Sequence, residues 1–190
     1  PIPATGCRGW RSYHRVEAFF TPPALAEQVV AAADIQPGMT VLEPSAGNGA
    51  LAALAAERGG LVHAVELYAP FAERLRRLGL QQVTVGDFMD LTPAQHSQRY
   101  DRVVMNPPFR RGTDVLHVMR AMRFLKPDGL LVAVMSAGLA DRQTGTAVHL
   151  RSLVALRGGR IEYLPEGAFV SAGTGVRTIL VTIPGAGPTP

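Results

Sequence analysis

The alternation of strand-like and helix-like segments most constrains what this 190-residue chain can fold into. From residue 22 to about residue 164, short apolar runs alternate with helical patterns, and glycine or proline occupies most of the turns between them. Such alternation is typical of βαβ units, which build a doubly wound parallel sheet with helices on both faces. A last pair of strands is expected at residues 160–164 and 176–183. We therefore predict an α/β fold whose ligands bind beyond the carboxyl ends of the strands.

Two boundaries in this pattern are specific enough to be tested. Pro22 and Pro23 are expected to open a helix that runs through Ala33, with Thr21 as its N-cap, because proline suits the first helical turn and threonine the capping position. Residues 138–146 are expected to form a loop before the last helix.

Length and composition favour one domain over residues 1–190, with an N-terminal arm at residues 1–15 and a disordered tail at residues 184–190. The single cysteine, Cys7, has no partner for an internal disulfide, and no apolar run reaches the roughly 18 residues of a membrane span. We therefore expect a cytoplasmic protein that does not enter a membrane. The histidines lack metal-ligand spacing, so no metal is assigned.

The charge balance leaves two interpretations open. The net charge is +4, and every basic residue except Lys126 is arginine. Arginine binds phosphate through two parallel hydrogen bonds, which favours a nucleic-acid partner. Arginine is also favoured by the codons of a GC-rich genome, which would make the same composition uninformative.

The first glycine-rich segment, Glu43-Pro44-Ser45-Ala46-Gly47-Asn48-Gly49, follows the first predicted strand. Glycines at this turn allow the backbone to approach a ligand closely. The spacing Gly47-x-Gly49-x-x-Ala52 also satisfies the looser dinucleotide pattern. A nicotinamide enzyme, a methyltransferase and a purely structural turn all fit this segment, whereas the absence of a following lysine disfavours a nucleoside-triphosphate loop.

Acidic residues end three successive predicted strands. Glu43 suits the ammonium of a methionine moiety and would repel a pyrophosphate, and Glu66 suits two ribose hydroxyls. Asp87 and Phe88 offer a carboxylate and an aromatic face to an adenine ring. This set matches the cationic S-adenosylmethionine better than an anionic dinucleotide, although each acid taken alone is also typical of a solvated strand end or a helix cap.

The segment Asn106-Pro107-Pro108-Phe109 follows the fourth predicted strand and indicates the reaction. The lone pair of an aryl or amide NH2 group is delocalised, so that two acceptors on its hydrogens are needed to aim it at a methyl group. The side-chain oxygen of Asn106 and the carbonyl of Pro107 suit this task, and Phe109 suits stacking on a flat target. A rigid turn after a buried strand is the structural alternative. The next residues, Arg110 and Arg111, are candidates for phosphate contacts or are simply solvated.

These motifs, together with Phe20-Thr21-Pro22-Pro23 and Gly86-Asp87-Phe88, resemble the class I S-adenosylmethionine-dependent methyltransferases of the gamma-type N6-adenine group over residues 16–183. The resemblance implies a Rossmann-like, seven-stranded, mostly parallel sheet with one reversed strand near the end. It also implies a cofactor site that consists of Phe20, Thr21, Pro22, Glu43, Ser45, Gly47, Asn48, Gly49, Glu66, Leu67, Asp87, Phe88 and Asn106. Phe169 begins a late segment, residues 169–178, that resembles the one beside the target base.

The function expected from this resemblance is N6-adenine methylation of nucleic acid, with DNA favoured. Two features keep alternatives open. DNA methyltransferases of this group usually carry a target-recognition region that this sequence does not show, and methyltransferases of ribosomal RNA guanine and of release-factor glutamine share the Asn-Pro-Pro-aromatic loop. The alternatives are methylation of RNA or of a protein glutamine, and a cofactor-binding accessory subunit that requires a specificity partner.

Overall fold

The computed structural model describes residues 20–93, 99–167 and 175–187. Its centre is a seven-stranded sheet in the order β3-β2-β1-β4-β5-β7-β6. The strands are β1 (Thr40–Pro44), β2 (Leu61–Glu66), β3 (Gln82–Val85), β4 (Tyr100–Met105), β5 (Leu125–Ser136), β6 (Arg160–Tyr163) and β7 (Thr178–Pro184). Neighbouring strands from β3 across to β5 are parallel, whereas β7 is antiparallel to both β5 and β6. The predicted Rossmann-like sheet with one reversed strand is confirmed.

Within the described residues, six α-helices cover the two faces of the sheet. They are α1 (Pro23–Ala33), α2 (Ala50–Glu57), α3 (Ala69–Arg77), α4 (Thr113–Ala121), α5 (Gly138–Asp141) and α6 (Gly145–Leu156). The buried side chains of α1, α2 and α3 form one core cluster, and those of α4, α5 and α6 form the other. β5 is buried on both faces, because Leu131 and Met135 point into the second cluster while Val132 and Val134 point into the first. A continuous apolar strand of this kind is typical of a sheet covered on both sides.

The start of α1 differs from the prediction. Pro22 occupies the N-cap position with an extended backbone, no side chain caps the helix, and the helix begins at Pro23. The prediction that Thr21 is the N-cap was therefore wrong. The Thr21 hydroxyl instead accepts a hydrogen bond of 3.1 Å from the Asn106 side-chain amide.

Two further boundaries also differ. Residues 138–141 form the short helix α5 where a loop was expected. Pro184, the first residue of the predicted disordered tail, is the last residue of β7. Gly185 and Gly187 continue along the sheet end, because their amides donate to the carbonyls of Gly129 and Pro127 at 2.7 and 2.8 Å. The N-terminal arm at residues 1–15 lies outside the described residues.

Among the described residues, no helix combines the length and the apolar character that crossing a bilayer requires.

Candidate active site

A cavity of about 660 Å³ opens at the carboxyl edge of the parallel strands. Most of the residues predicted for the site line it: Phe20, Thr21, Glu43, Ser45, Gly47, Asn48, Glu66, Leu67, Asp87, Phe88, Asn106, Pro107, Pro108, Phe109 and Arg110. Pro22, Gly49 and Arg111 are not part of the lining, and Phe169 lies outside the described residues. The topology therefore brings the two predicted parts of the site, for a cofactor and for a target, into one cavity.

The glycine-rich turn after β1 is held against the end of β2. The amides of Ser45 and Ala46 both donate to the carbonyl of Val65, at 2.9 and 3.0 Å. Ser45 has a φ of 113° and Gly47 a φ of 54°, so the chain turns sharply here. Gly49 serves packing, since a Cβ atom at this position would lie 2.6 Å from the Leu75 side chain. Gly49 was predicted to be part of the cofactor site, and in the structure it allows the turn to pack closely against α3.

Glu66 is fixed at the end of β2 by two backbone donors. One carboxylate oxygen accepts from the Gly47 amide at 2.7 Å, and the other accepts from the Tyr68 amide at 2.8 Å. Each carboxylate oxygen has further lone pairs and can accept additional hydrogen bonds. A buried carboxylate held in one orientation beside a cavity suits a ligand with two neighbouring hydroxyl groups.

Glu43 is an acid of the lining with a carboxylate oxygen that receives no hydrogen bond from the described residues. Its side chain is only 3% exposed, and the Oε2 atom has no hydrogen-bond partner among the described residues. Burial raises the pKa of Glu43 well above its usual range; a backbone hydrogen bond from Ala52 opposes this rise, and the nearby Glu66 adds to it. A buried carboxylate that lacks a partner destabilises the protein unless a donor reaches it. This orphaned atom fits a cationic ligand group such as the ammonium of a methionine moiety.

The turn after β3 has contacts that the sequence did not predict. Asp87 caps a short 3-10 helix (Phe88–Asp90), because its Oδ1 accepts from the Met89 amide at 2.8 Å. The Phe88 ring is buried and packs against Phe124 and His117, with ring centroids 5.5 and 5.9 Å apart. Phe88 is therefore part of the core as well as of the cavity lining, and its contact with a ligand stays a prediction.

The segment after β4 forms the opposite wall. Asn106 is half-buried, and its Nδ2 donates to the Thr21 hydroxyl at 3.1 Å, which fixes the plane of the amide. Pro107 is buried and Pro108 is exposed, and Phe109 packs partly against the cluster of α1 and α2. The loop is therefore anchored on both sides of Asn106.

The two arginines that follow this loop are placed differently. Arg110 contributes to the cavity lining, whereas Arg111 does not. Arg111 has a φ of 52°, in the left-handed region, and the next residue, Gly112, has a φ of 80°. The chain turns at this point before α4 begins, and of the two adjacent arginines only Arg110 lines the cavity.

Several lining residues were not predicted: Tyr68, Phe71, Thr113, His117 and Ser136. Val176 also lines the cavity and lies within residues 169–178, the late segment expected beside the target base. Tyr68 and Phe71 form an aromatic group with Phe20 at one side of the cavity, with the ring centroid of Phe71 6.4 Å from Tyr68 and 5.5 Å from Phe20. The sequence offered one signal for Tyr68, its position two residues after Glu66.

His117 is a buried member of the lining, and its Nδ1 lies 3.5 Å from the Ser45 hydroxyl oxygen. Burial lowers the pKa of His117, and the Arg120 charge acts in the same direction, whereas Asp87 opposes it. The lowered pKa favours the neutral form of the ring. Within the described ranges, no group of three or more His, Cys, Asp or Glu side chains is arranged to hold a metal ion.

The sheet order, the acids at the strand ends and the shared cavity define a class I methyltransferase fold. The chain belongs to the methyltransferase small domain family, which it matches over residues 25–155. The family and the fold assign S-adenosylmethionine as the cofactor. No protein of curated function matches the chain by sequence comparison.

Solved structures with the same fold include proteins of restriction–modification systems. A protein assigned as a modification subunit of a type I restriction enzyme from Vibrio vulnificus YJ016 superposes with a TM-score of 0.74 and 22% identity, over 90% of this chain and 45% of that one. The M protein of the type I restriction enzyme EcoKI gives a TM-score of 0.71 and 16% identity, over 88% of this chain and 44% of that one. TrmN from Thermus thermophilus gives a TM-score of 0.60 and 22% identity, over 86% of this chain and 48% of that one. The chain thus spans just under half the length of these structures, and at such identities the likeness concerns the fold.

Proposed function

We propose that this protein is a gamma-type N6-adenine methyltransferase that acts on DNA. The observation that carries the proposal is the presence of Asn106-Pro107-Pro108-Phe109 in the same cavity as the buried acids Glu43 and Glu66. A site that holds a cationic nucleoside on one wall and an acceptor pair on the other suits methyl transfer to an NH2 group.

The residues for the cofactor fall at the ends of the first three strands. Glu43 would hold the methionine ammonium, Glu66 would hold the ribose hydroxyls, and Asp87 would lie near the adenine. S-adenosylmethionine supplies an electrophilic methyl group on a positively charged sulfur. The protein's part is to bind and orient this cation, and the unpartnered Oε2 of Glu43 gives a strong electrostatic reason for it to do so.

The target amine would be held by two acceptors. The hydrogen bond from Asn106 Nδ2 to Thr21 directs the side-chain oxygen of Asn106 away from Thr21, and the Pro107 carbonyl provides a second acceptor without a competing N–H. Acceptors on both hydrogens favour a pyramidal nitrogen whose lone pair is free to attack. Phe109 would stack on the target ring. Because the attack is direct, the rate gain would come from orientation and electrostatics.

The preference for DNA is supported by the modification subunits that share the fold and by Arg110 in the cavity lining. Since this chain spans just under half the length of those structures, we propose that sequence recognition depends on further protein, either in a longer polypeptide or in a specificity partner.

The decisive experiment is transfer of labelled methyl groups from S-adenosylmethionine to DNA, RNA and total protein, measured side by side with the same enzyme preparation. We expect label in DNA and N6-methyladenine after nucleoside digestion. Label confined to RNA or to glutamine would refute the DNA assignment while leaving N-methylation intact. Absence of label on all three, with S-adenosylmethionine still bound, would favour an accessory subunit that needs its partner.

A further inference from the structure

Tyr163 and Arg177 form an exposed pair of an aromatic ring and a guanidinium group. The guanidinium carbon of Arg177 lies 5.9 Å from the centroid of the Tyr163 ring. Tyr163 is 59% exposed, and Arg177 is exposed as well. None of the ion pairs found among the described residues includes Arg177. The pair thus presents a flat apolar face and a positive charge to the surroundings, and burial of the ring does not explain its presence.

The pair lies at the edge of the sheet where the cavity opens. β7 runs antiparallel to its neighbours, so its first residues stand beside the carboxyl ends of β5 and β6. Val176, which directly precedes Arg177, lines the cavity. Tyr163 is the last residue of β6 and is paired with Ile179 of β7, and adjacent strands lie roughly 4.8 Å apart.

Backbone hydrogen bonds fix both residues relative to the cavity. The carbonyl of Arg177 accepts from the Ala137 amide at 2.9 Å, and Ala137 follows Ser136, which lines the cavity. Beside Tyr163, the amide of Leu164 donates to the Thr178 carbonyl at 3.0 Å. These hydrogen bonds hold the backbone of Arg177 next to a lining segment and the end of β6 next to the start of β7.

Positive charge flanks the cavity on two sides. Arg110 lines the cavity in the segment after β4. Arg177 directly precedes β7 and is next to the lining residue Val176, and only β5 lies between β4 and β7 in the sheet. A polyanionic strand that delivers a base to the cavity would pass both arginines. An exposed aromatic ring next to one of them matches the stacking platforms and basic grooves of proteins that bind unpaired nucleotides.

We propose that Tyr163 and Arg177 form a subsite for a nucleotide next to the target base, with the neighbouring base stacked on Tyr163 and its phosphate paired with Arg177. This inference rests on the proposed function, because it requires a nucleic-acid substrate. The subsite takes an unpaired or unstacked nucleotide, and the stacking ring tolerates any base, since every base has a flat face.

The test is fluorescence-anisotropy binding of a short, labelled, adenine-containing single-stranded oligodeoxynucleotide to the full chain over a range of salt concentrations. Tyr163→Leu keeps an apolar side chain but removes the ring, so affinity should fall about 5- to 150-fold, the range for one base–aromatic stack. Tyr163→Phe should bind like the wild type. Arg177→Gln should weaken binding and reduce the salt slope by about 0.7, the value for one phosphate contact on a single strand.

Arg160→Gln is the matched control. Arg160 is exposed on the same strand as Tyr163 but at its other end, away from the cavity, and the substitution removes the same charge. Affinity and salt slope should not change. S-adenosylmethionine affinity and Tm, measured on every variant, should stay at wild-type values, since none of the three positions contributes to the core.

The outcomes separate the two proposals. If the wild type binds the oligonucleotide and both Tyr163→Leu and Arg177→Gln bind equally well, the subsite is refuted and the proposed function stands. An effect of Arg160→Gln equal to that of Arg177→Gln would also overturn the subsite, because it would show only a general charge effect. If the wild type neither binds the oligonucleotide nor methylates nucleic acid, both proposals fail.

Discussion

The substitution Glu43→Gln separates the proposed cofactor contact of this residue from its cost to the fold. The Glu43 carboxylate is buried, and its Oε2 has no partner among the described residues. Glutamine has nearly the same shape and keeps an oxygen for the Ala52 amide but carries no charge. We expect the cofactor-free protein to gain about 1–3 kcal/mol of unfolding free energy, the scale for an unsatisfied buried group. For a chain of this size, each kcal/mol raises Tm by about 2–4 °C.

The same substitution should weaken cofactor binding. Loss of a charge-assisted hydrogen bond to an ammonium group costs about 1.5–3 kcal/mol, which corresponds to a roughly 10- to 150-fold rise in Kd. Thermal unfolding without cofactor and titration calorimetry with S-adenosylmethionine measure the two effects. The control is Glu57→Gln on the exposed side of α2, which should change neither quantity.

The pH dependence follows from the raised pKa of Glu43. Below the carboxyl group's ordinary pKa, the folded and unfolded states both carry the proton, so burial of this group costs little. As the pH rises from there through the raised pKa of the folded state, unfolding increasingly allows ionisation, and stability is lost. The stability advantage of Glu43→Gln over the wild type should therefore grow with pH across this window. Cofactor binding should release a proton there, because the ammonium requires the ionised carboxylate. A variant that binds S-adenosylmethionine like the wild type, with a pH-independent stability difference, would refute this reasoning.

The proposed catalytic loop, Asn106-Pro107-Pro108-Phe109, and the arginines after it give two further predictions. Asn106→Ala should abolish most methyl transfer, while Tm and S-adenosylmethionine affinity stay close to wild type. Asn106→Asp should retain partial activity because it keeps an acceptor oxygen at the same reach. Wild-type turnover by Asn106→Ala would show that the loop is only a structural turn. Arg110→Ala should lower the salt slope of DNA binding by about 0.9, whereas Arg111→Ala, outside the cavity lining, should change it less. Equal effects of the two arginine substitutions would show that the cavity does not define the phosphate path.

The fold followed from the sequence because its signals are local and repeated. Apolar runs of strand length alternate with helical patterns, and parallel sheets bring all carboxyl ends to one edge. Glu43 and Glu66 could be placed together for the same reason, although one residue ends β1 and the other ends β2. A position at a strand end is therefore a reliable indication of the side of the sheet on which a residue lies.

The errors concern residues whose partners are distant in sequence. Thr21 before two prolines satisfies the local pattern of an N-cap, but its hydroxyl bonds to Asn106, a residue 85 positions away. The same limit applies to Phe88, whose contacts with the rings of Phe124 and His117 in the core could not be predicted from its position after an acid at a strand end. Local patterns contain no information about these competing contacts.

Some residues that line the cavity were not predicted, because they reach it from positions that local sequence patterns do not mark. Thr113 and His117 reach the cavity from the first two turns of α4. Neither position belongs to a strand-end motif of the parallel sheet. Val176, by contrast, belongs to the segment 169–178 that the resemblance placed beside the target base, and it precedes the reversed strand β7.

Helix α4 contacts two parts of the cavity lining, the segment after β4 and the turn after β3. It begins directly after Arg111 and Gly112, which both have a positive φ, so its position determines where the proposed catalytic loop ends. From its last turn, Arg120 Nε donates to the carbonyls of Phe88 and Leu91 at 3.1 and 2.9 Å, which secures the turn after β3. Because one helix holds both the wall with the target loop and the turn with Asp87, a shift of α4 would move the proposed adenine contact and the amine acceptors together. In the proposed mechanism, the relative placement of methyl donor and acceptor thus depends on α4 as well as on the hydrogen bond between Asn106 and Thr21.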